Sequence, residues 1–259
     1  MRLVTWNVNS LRARQARVEA LLERWSPDVV CLQETKLGDQ AFPADAFAAR
    51  GYDARSFGVG AYCGVAILSR ATPVDVRLGF DGDLVPGEPR VMSASVDGLR
   101  VVNAYAVNGK AVGDPAYDTK LAWFDALLGW IREEFDPTQP VVLSGDLNVA
   151  PDDADVHDPE LWRGRNLASE PERDRIRALV DWGFVDVLRR IHEGPGPFTW
   201  WDYRAGSFHR GWGLRLDVVL ATPSVAARCT DVRVDRDERK PTAGEGNPSD
   251  HAPVIVDLD

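Results

Sequence analysis

The chain has 259 residues, 44% of them apolar and 27% charged, which suits a folded protein with a sizeable core and excludes a disordered or fibrous one. Forty acidic against 30 basic residues give a net charge of -10, which argues against a protein that coats nucleic acid non-specifically. Three cysteines (Cys31, Cys63, Cys229) without CxxC spacing argue against a disulfide scaffold or thiolate zinc site. No apolar run reaches the ~18 residues of a membrane span, and none at the N-terminus suits a signal peptide. A cytoplasmic monomer, folded as one domain over residues 1–259, is the expectation. Basic residues still cluster locally, as in residues 1–24 with five Arg against two Glu.

One unit occurs twice along the chain. Its first copy opens with a strand, Leu3-Val4-Thr5-Trp6, ending at Asn7. A helix follows, with Val18, Leu21, Leu22 and Trp25 at i, i+3, i+4 and i+7. A buried-type strand, Asp28–Leu32, then ends in Gln33-Glu34. The second copy runs from the strand Val101–Tyr105 through a helix carrying Leu121, Phe124, Leu128, Ile131 and Phe135. It closes with Val141–Leu143, running into Gly145-Asp146-Leu147-Asn148. Ser169 and Glu172 form a capping box that predicts a helix through Ile176, Leu179 and Val180 to Gly183. Phe184–Leu188, Leu216–Leu220 and Val254–Val256 read as further strands. Repeated α/β units of this kind imply layered sheets with helices outside.

Polar residues interrupt these apolar strands at their ends: Asn7, Glu34, Asp146, Asn148, Asp217, Asp250 and His251. Strand ends are where layered α/β folds bind ligands. Converging carboxylates repel unless a cation stands between them, and oxygen-only ligands suit Mg²⁺ or Mn²⁺ over zinc. Structural roles compete at each position. Glu34 can pair with Lys36, Asp146 and Asn148 can be turn residues, and Asp250 can form an Asx turn. Asp217 sits inside an apolar strand, so a buried acid there needs a partner, for which His251 is the natural choice.

The motifs Thr5–Arg12, Leu32–Lys36, Tyr105–Gly109, Gly145–Pro151, Phe198–Tyr203, Gly213–Asp217 and Ser249–Pro253 resemble the exonuclease III type of apurinic/apyrimidinic (AP) endonucleases. That family lies within the endonuclease/exonuclease/phosphatase superfamily. All seven motifs occur in family order and span nearly the whole chain. The resemblance implies a four-layered α/β sandwich with two central mixed β-sheets. One departure is Val107, where the family usually has proline. Tyr105 separates the chain from the superfamily's extracellular deoxyribonucleases, which typically carry His there.

By this resemblance, Glu34 is the main Mg²⁺ ligand (Mn²⁺ substituting), with Asn9 near the metal and Asp250 supporting the metal or His251. Tyr105, Asp146, Asn148, Asp217, His251 and Asn7 form the catalytic set. Tyr105 donates to a phosphate oxygen, and Asn148 and Asn7 orient water, phosphate or His. Asp217 fixes the tautomer of His251, and Asp146 and His251 are both candidates for the base. Trp200, Leu214 and Leu216 form an apolar pocket for a base-less sugar, and Asn108 is a further substrate-binding residue. Arg12, Lys110, Arg210 and Arg215 are candidate phosphate contacts.

The implied activity is Mg²⁺-dependent incision of double-stranded DNA 5′ to an abasic site, in base excision repair. Removal of blocked 3′ ends and 3′→5′ exonuclease activity accompany it in the family. Two other readings stand beside it. One is a phosphoesterase of the same fold acting on inositol phosphates or sphingomyelin. The other is a DNA-binding scaffold with a degenerate site, disfavoured because each catalytic position holds a competent residue.

Overall fold

Alternation along each strand sends successive side chains to opposite faces, so a strand apolar on both faces must be covered on both. The computed structural model, which describes residues 1–259, places the strands in two six-stranded sheets. The first sheet contains β1 (Arg2–Asn7), β2 (Val29–Gln33), β3 (Asp53–Phe57), β4 (Val65–Ser69), β11 (Cys229–Val234) and β12 (Val254–Leu258). Its order is β11-β12-β1-β2-β4-β3. The second contains β5 (Val74–Leu78), β6 (Val91–Val96), β7 (Leu99–Tyr105), β8 (Val141–Asp146), β9 (Val185–Asp186) and β10 (Asp217–Ala221). Its order is β5-β6-β7-β8-β10-β9. Both sheets are mixed, and the central pair of each, β1–β2 and β7–β8, is parallel. The doubled unit of the sequence is thus a doubled arrangement of strands.

Leu3, Val29, Cys31, Val101, Val142 and Val219 meet between the sheets in a buried cluster. Their neighbours Val4, Trp6, Val30 and Leu32 face outward onto helix Leu11–Trp25. On the other side, Val102, Leu143 and Val218 pack on helices Pro115–Glu134 and Glu170–Trp182. The result is the four-layered sandwich, helix–sheet–sheet–helix. Ser169 and Gly183 bound the last helix as the capping box predicts.

The inter-sheet face changes character along the strands. Reading toward one end, β1 gives Leu3, Thr5, Asn7, and β2 gives Val29, Cys31, Gln33. On the facing sheet β7 gives Val101, Asn103, Tyr105, and β8 gives Val142, Ser144, Asp146. Antiparallel β10 gives Ala221, Val219, Asp217. An apolar floor therefore grades into a polar rim at a single edge of the sandwich. Gln33 and Asn103 link the sheets just below that rim, Gln33 Nε2 donating to Asn103 Oδ1 at 2.8 Å.

Two expectations need correction. The strand expected over Phe184–Leu188 is only Val185–Asp186. Asp186 then caps a short helix, Val187–Ile191, its carboxylate accepting from the Leu188 and Arg189 amides. The capping carboxylate ends the strand in mid-run. In helix Pro115–Glu134, the buried face also carries Lys120, while Leu121 is only half-buried.

Gly145 fixes how closely β7 and β8 can pair beside the rim. Its φ is +145°, and a Cβ there would lie 1.9 Å from the Ala104 carbonyl oxygen. Gly145→Ala is expected to destabilise the protein by roughly 3 kcal/mol or more, read from the shift of a chemical-denaturation midpoint. An unchanged midpoint would show that the two strands can part at no cost.

Candidate active site

At the polar rim, Asn7 ends β1 and is fully buried. Its Nδ2 donates to Glu34 Oε1 and to Asp146 Oδ2, both at 2.8 Å. One neutral amide therefore joins carboxylates carried by the two different sheets. Asp146 is completed by the Asn148 amide nitrogen, which donates to its Oδ1 at 2.9 Å. Asn7 is held in turn by Ser249, whose hydroxyl donates to the Asn7 carbonyl at 2.7 Å.

The antiparallel register sets Asp217 opposite Asp146. Asp217 Oδ2 lies 2.8 Å from His251 Nδ1, and His251 Nε2 lies 3.7 Å from Asp146 Oδ2. Burial works against the imidazolium, but the carboxylates of Asp217 and Asp146 outweigh it and raise the His251 pKa above its ordinary value. Burial pushes Asp146 upward, while His251 opposes the shift. The Tyr105 phenol is pushed well above its ordinary range by burial and by the charges of Glu34 and Asp146. It stays a neutral donor, with the Arg90 guanidinium 4.8 Å from its ring centroid.

Glu34 and Asn9 both take left-handed backbone conformations, with φ of 52° and 43°. Lys36 Nζ pairs with Glu34 Oε2 at 2.8 Å and donates to Asn9 Oδ1 at 2.6 Å. Asn9 Nδ2 reaches Asp250 Oδ1 at 3.0 Å, and Trp200 Nε1 donates to Asp250 Oδ2 at 3.1 Å. Burial would raise Asp250, but His251 and these two hydrogen bonds hold it below the ordinary carboxylate range. The three expected metal-binding residues are thereby brought together.

Ligand atoms of Asp146, Asp217 and His251 also lie within 4.8 Å of one another. Within the trio, the 2.8 Å contact between Asp217 Oδ2 and His251 Nδ1 already takes one ligand atom from each. Glu34 suits a metal better: its side chain keeps 17% of its accessible surface, against 2% for Asp146 and 0% for Asp217. The carboxylates of Glu34, Asp146, Asp217 and Asp250 outnumber the cations Lys36 and His251, a negative excess that suits a cation bound through oxygen.

Other expected residues divide by exposure. Asn108 Nδ2 donates to Asn148 Oδ1 at 2.9 Å, so both asparagines belong to the site. Arg12 and Lys110 are exposed, and Arg12 lines a cleft with Lys36 and Ser10. Arg215 is a correction. It is fully buried, with ion pairs to Asp155 and Asp186, and cannot reach a phosphate. Leu214 and Leu216 are corrected likewise: at 0% and 2% exposure they back a small apolar cluster with Val156 and Leu167. Trp200 packs on that cluster and is the member of the expected pocket that keeps accessible surface. Arg210 covers the Trp212 ring at 4.5 Å. The sequence reading missed Lys36 as a bridge, Arg90 beneath Tyr105, Ser249 and Thr199. Thr199 Oγ1 accepts the Leu216 and Asp217 amides at 3.0 Å each.

Residues 4–251 match the Endonuclease/Exonuclease/phosphatase family. The chain belongs to that family. It is 32% identical over 270 residues to exodeoxyribonuclease III of Haemophilus influenzae, covering 100% of both chains. A Neisseria 3′ phosphatase bound to a product DNA hairpin superposes with a TM-score of 0.95 at 42% identity, over 100% of this chain and 99% of that one. An AP endonuclease from Archaeoglobus fulgidus gives 0.94 at 36% identity, again over 100% and 99%. The chain is a phosphodiester-cleaving enzyme of the exonuclease III and AP endonuclease type. Its three cysteines are free and buried, and no helix is long and apolar enough to cross a membrane.

The charge state of His251 is directly measurable. In metal-free protein the imidazolium should persist beyond about pH 8, followed by heteronuclear NMR, and Asp217→Asn should lower its pKa by about one unit or more. The folded value exceeds the unfolded one. The pair's stabilisation is therefore complete below the ordinary value of 6.5 and is lost as pH rises through the folded pKa. A His251 that titrates near 6.5 in both proteins would break the assignment.

Proposed function

We propose that this protein is a Mg²⁺-dependent DNA repair nuclease, with Mn²⁺ able to substitute, acting as a monomer on double-stranded DNA. It incises 5′ to abasic sites and removes blocked 3′ ends. The observation that carries this reading is the single Asn7 amide joining Glu34 to Asp146, with the cationic His251 beside them. Phosphodiester hydrolysis needs a base for water, a cationic hold on the phosphate and neutralisation of the leaving oxygen. Asp146, raised by burial and held by Asn7 and the Asn148 amide, takes the water proton. His251 keeps its proton because Asp217 holds it, so it binds a phosphate oxygen and does not act as the base. Tyr105 donates to a second oxygen, and Asn148 orients the phosphate. The water oxygen bonds to phosphorus as the P–O3′ bond breaks, and the departing O3′ takes a proton from solvent to become the 3′-hydroxyl. Glu34, Asn9 and Asp250 would hold the metal, which would supply charge neutralisation at the phosphate and the leaving oxygen.

Trp200 supplies an apolar wall for a sugar that lacks its base, which is the cheaper nucleotide to unstack. The likeness to the Haemophilus, Neisseria and Archaeoglobus proteins supports both the incision and the 3′-end activity. The overall acidic charge leaves selectivity to this wall more than to general DNA affinity.

Two labelled duplexes test the reading, one with a single abasic site and one with a 3′-phosphate, each with Mg²⁺ or with chelator. Expected are Mg²⁺-dependent cleavage of both, a 3′-hydroxyl at the abasic nick, and a loss of at least ~100-fold for Glu34→Gln. Trp200→Ala should lower abasic incision by roughly 1–3 kcal/mol more than it lowers 3′-end removal, since loss of its bond to Asp250 weakens both activities. Cleavage of neither duplex, or a borohydride-trapped product, would overturn the proposal.

A further inference from the structure

Lys120 lies on the inner face of helix Pro115–Glu134 and is fully buried, as is its partner Glu172. Its ammonium donates to the Asn148 carbonyl at 2.6 Å and to the Asn108 carbonyl at 3.2 Å. Glu172 completes the group, accepting from Lys120 and from the Leu167 and Ser169 amides, both at 3.0 Å. The loop makes room for the lysine stem. Gly109 has φ +83°, and a Cβ there would lie 2.9 Å from Lys120 Cδ. Asn166 Nδ2 gives the Asn108 carbonyl a second donor at 2.9 Å.

Both carbonyls belong to the asparagines whose side chains meet in the active site. Asn148 has the left-handed φ of 51°, a conformation that costs a non-glycine residue free energy and needs support. Glu172 is also the capping-box acid of helix Glu170–Trp182, so helix stability accounts for the glutamate. The two bonds from Lys120 to the asparagine carbonyls lie outside that cap.

We propose that Lys120 is a positioning residue: its ammonium clamps the main chains of Asn108 and Asn148, so that the Asn148 amide meets the reacting phosphate in one orientation. This rests on the site reading given above. It acts through Asn148, on the transition state more than on DNA affinity.

The test compares wild type, the pair swap Lys120→Met/Glu172→Gln, Asn148→Ala, and the triple variant, on whichever of the two duplexes wild type cleaves. The swap removes both buried charges together, so no unpaired carboxylate remains, and Glu172→Gln still offers an acceptor to the Ser169 amide. Per folded molecule, its kcat should fall about 30-fold or more with KM changed less than about threefold, and its thermal transition should stay cooperative. Adding the swap to Asn148→Ala should cost little more, because the two act as a unit. If the swap does not fold, Lys120→Arg keeps the ion pair but puts a longer, planar head beside the carbonyls, and its kcat should fall about 10-fold with KM held. A second readout is independent of cleavage: the Asn148 side-chain amide should give one sharp NMR pair in wild type and a broadened or shifted one in the variant. Wild-type kcat in the variant, losses that multiply in the triple variant, or an unchanged Asn148 resonance would overturn the proposal. Failure of wild type to cleave either duplex would instead overturn the functional reading, leaving the resonance to decide the role of Lys120.

Discussion

A primary amide has two hydrogens, and Asn7 uses both on carboxylates from different sheets. That single side chain sets the distance and the charge balance of the catalytic edge. A lysine there would form ion pairs in the direction of charge neutrality but leave less room for a metal. A carboxylate would add a further repelling charge. The amide brings Glu34 and Asp146 together while adding no charge of its own. Its position follows from the period of the strand: residues 3, 5 and 7 of β1 share the inter-sheet face, and only the last reaches the rim.

The same gradient separates stability from chemistry. Apolar residues at the floor of the inter-sheet face hold the sheets together, and the polar ones at the rim are held by hydrogen bonds from neighbouring segments. Thr199, Ser249 and the Asn148 amide each spend a donor or acceptor to fix one catalytic group. Hydrogen-bond partners then distinguish groups that look alike in sequence and in burial. Asp217 and Asp146 face each other across β8 and β10, but one is bound to imidazole and the other to an amide. In the proposed mechanism the first holds the proton on His251, and the second takes the proton of the attacking water.

Much of this was legible in the sequence because strand ends and helix caps are local signals. The doubled unit, the capping box at Ser169, and the Asp217–His251 pairing all follow from spacing or from the need of a buried acid for a partner. What was not legible depends on contacts between distant segments. Arg215 sits in a motif beside the site, yet its guanidinium turns away to Asp155 and Asp186, about which its neighbours in sequence say nothing. Leu214 and Leu216 carry the right chemistry for a pocket wall, but Trp200 and Val156 cover them. The strand expected at Phe184–Leu188 was interrupted by Asp186, whose carboxylate satisfied helix amides more readily than a ladder could use it. Lys120 did leave a signal, a lysine amid the apolar spacing of a helix, and buried lysines need partners.

The central claim is that a neutral amide at position 7 joins two carboxylates of opposite sheets into one working site. Asn7→Asp preserves shape and exchanges the donor for a third negative charge. The direct measurement is kcat/KM for Mg²⁺-dependent cleavage by this variant, with folding checked by circular dichroism. The account predicts a loss of about 100-fold or more with secondary structure retained, since two hydrogen bonds to charged groups are replaced by repulsion. A folded Asn7→Asp protein that cleaves within about threefold of wild type would contradict it.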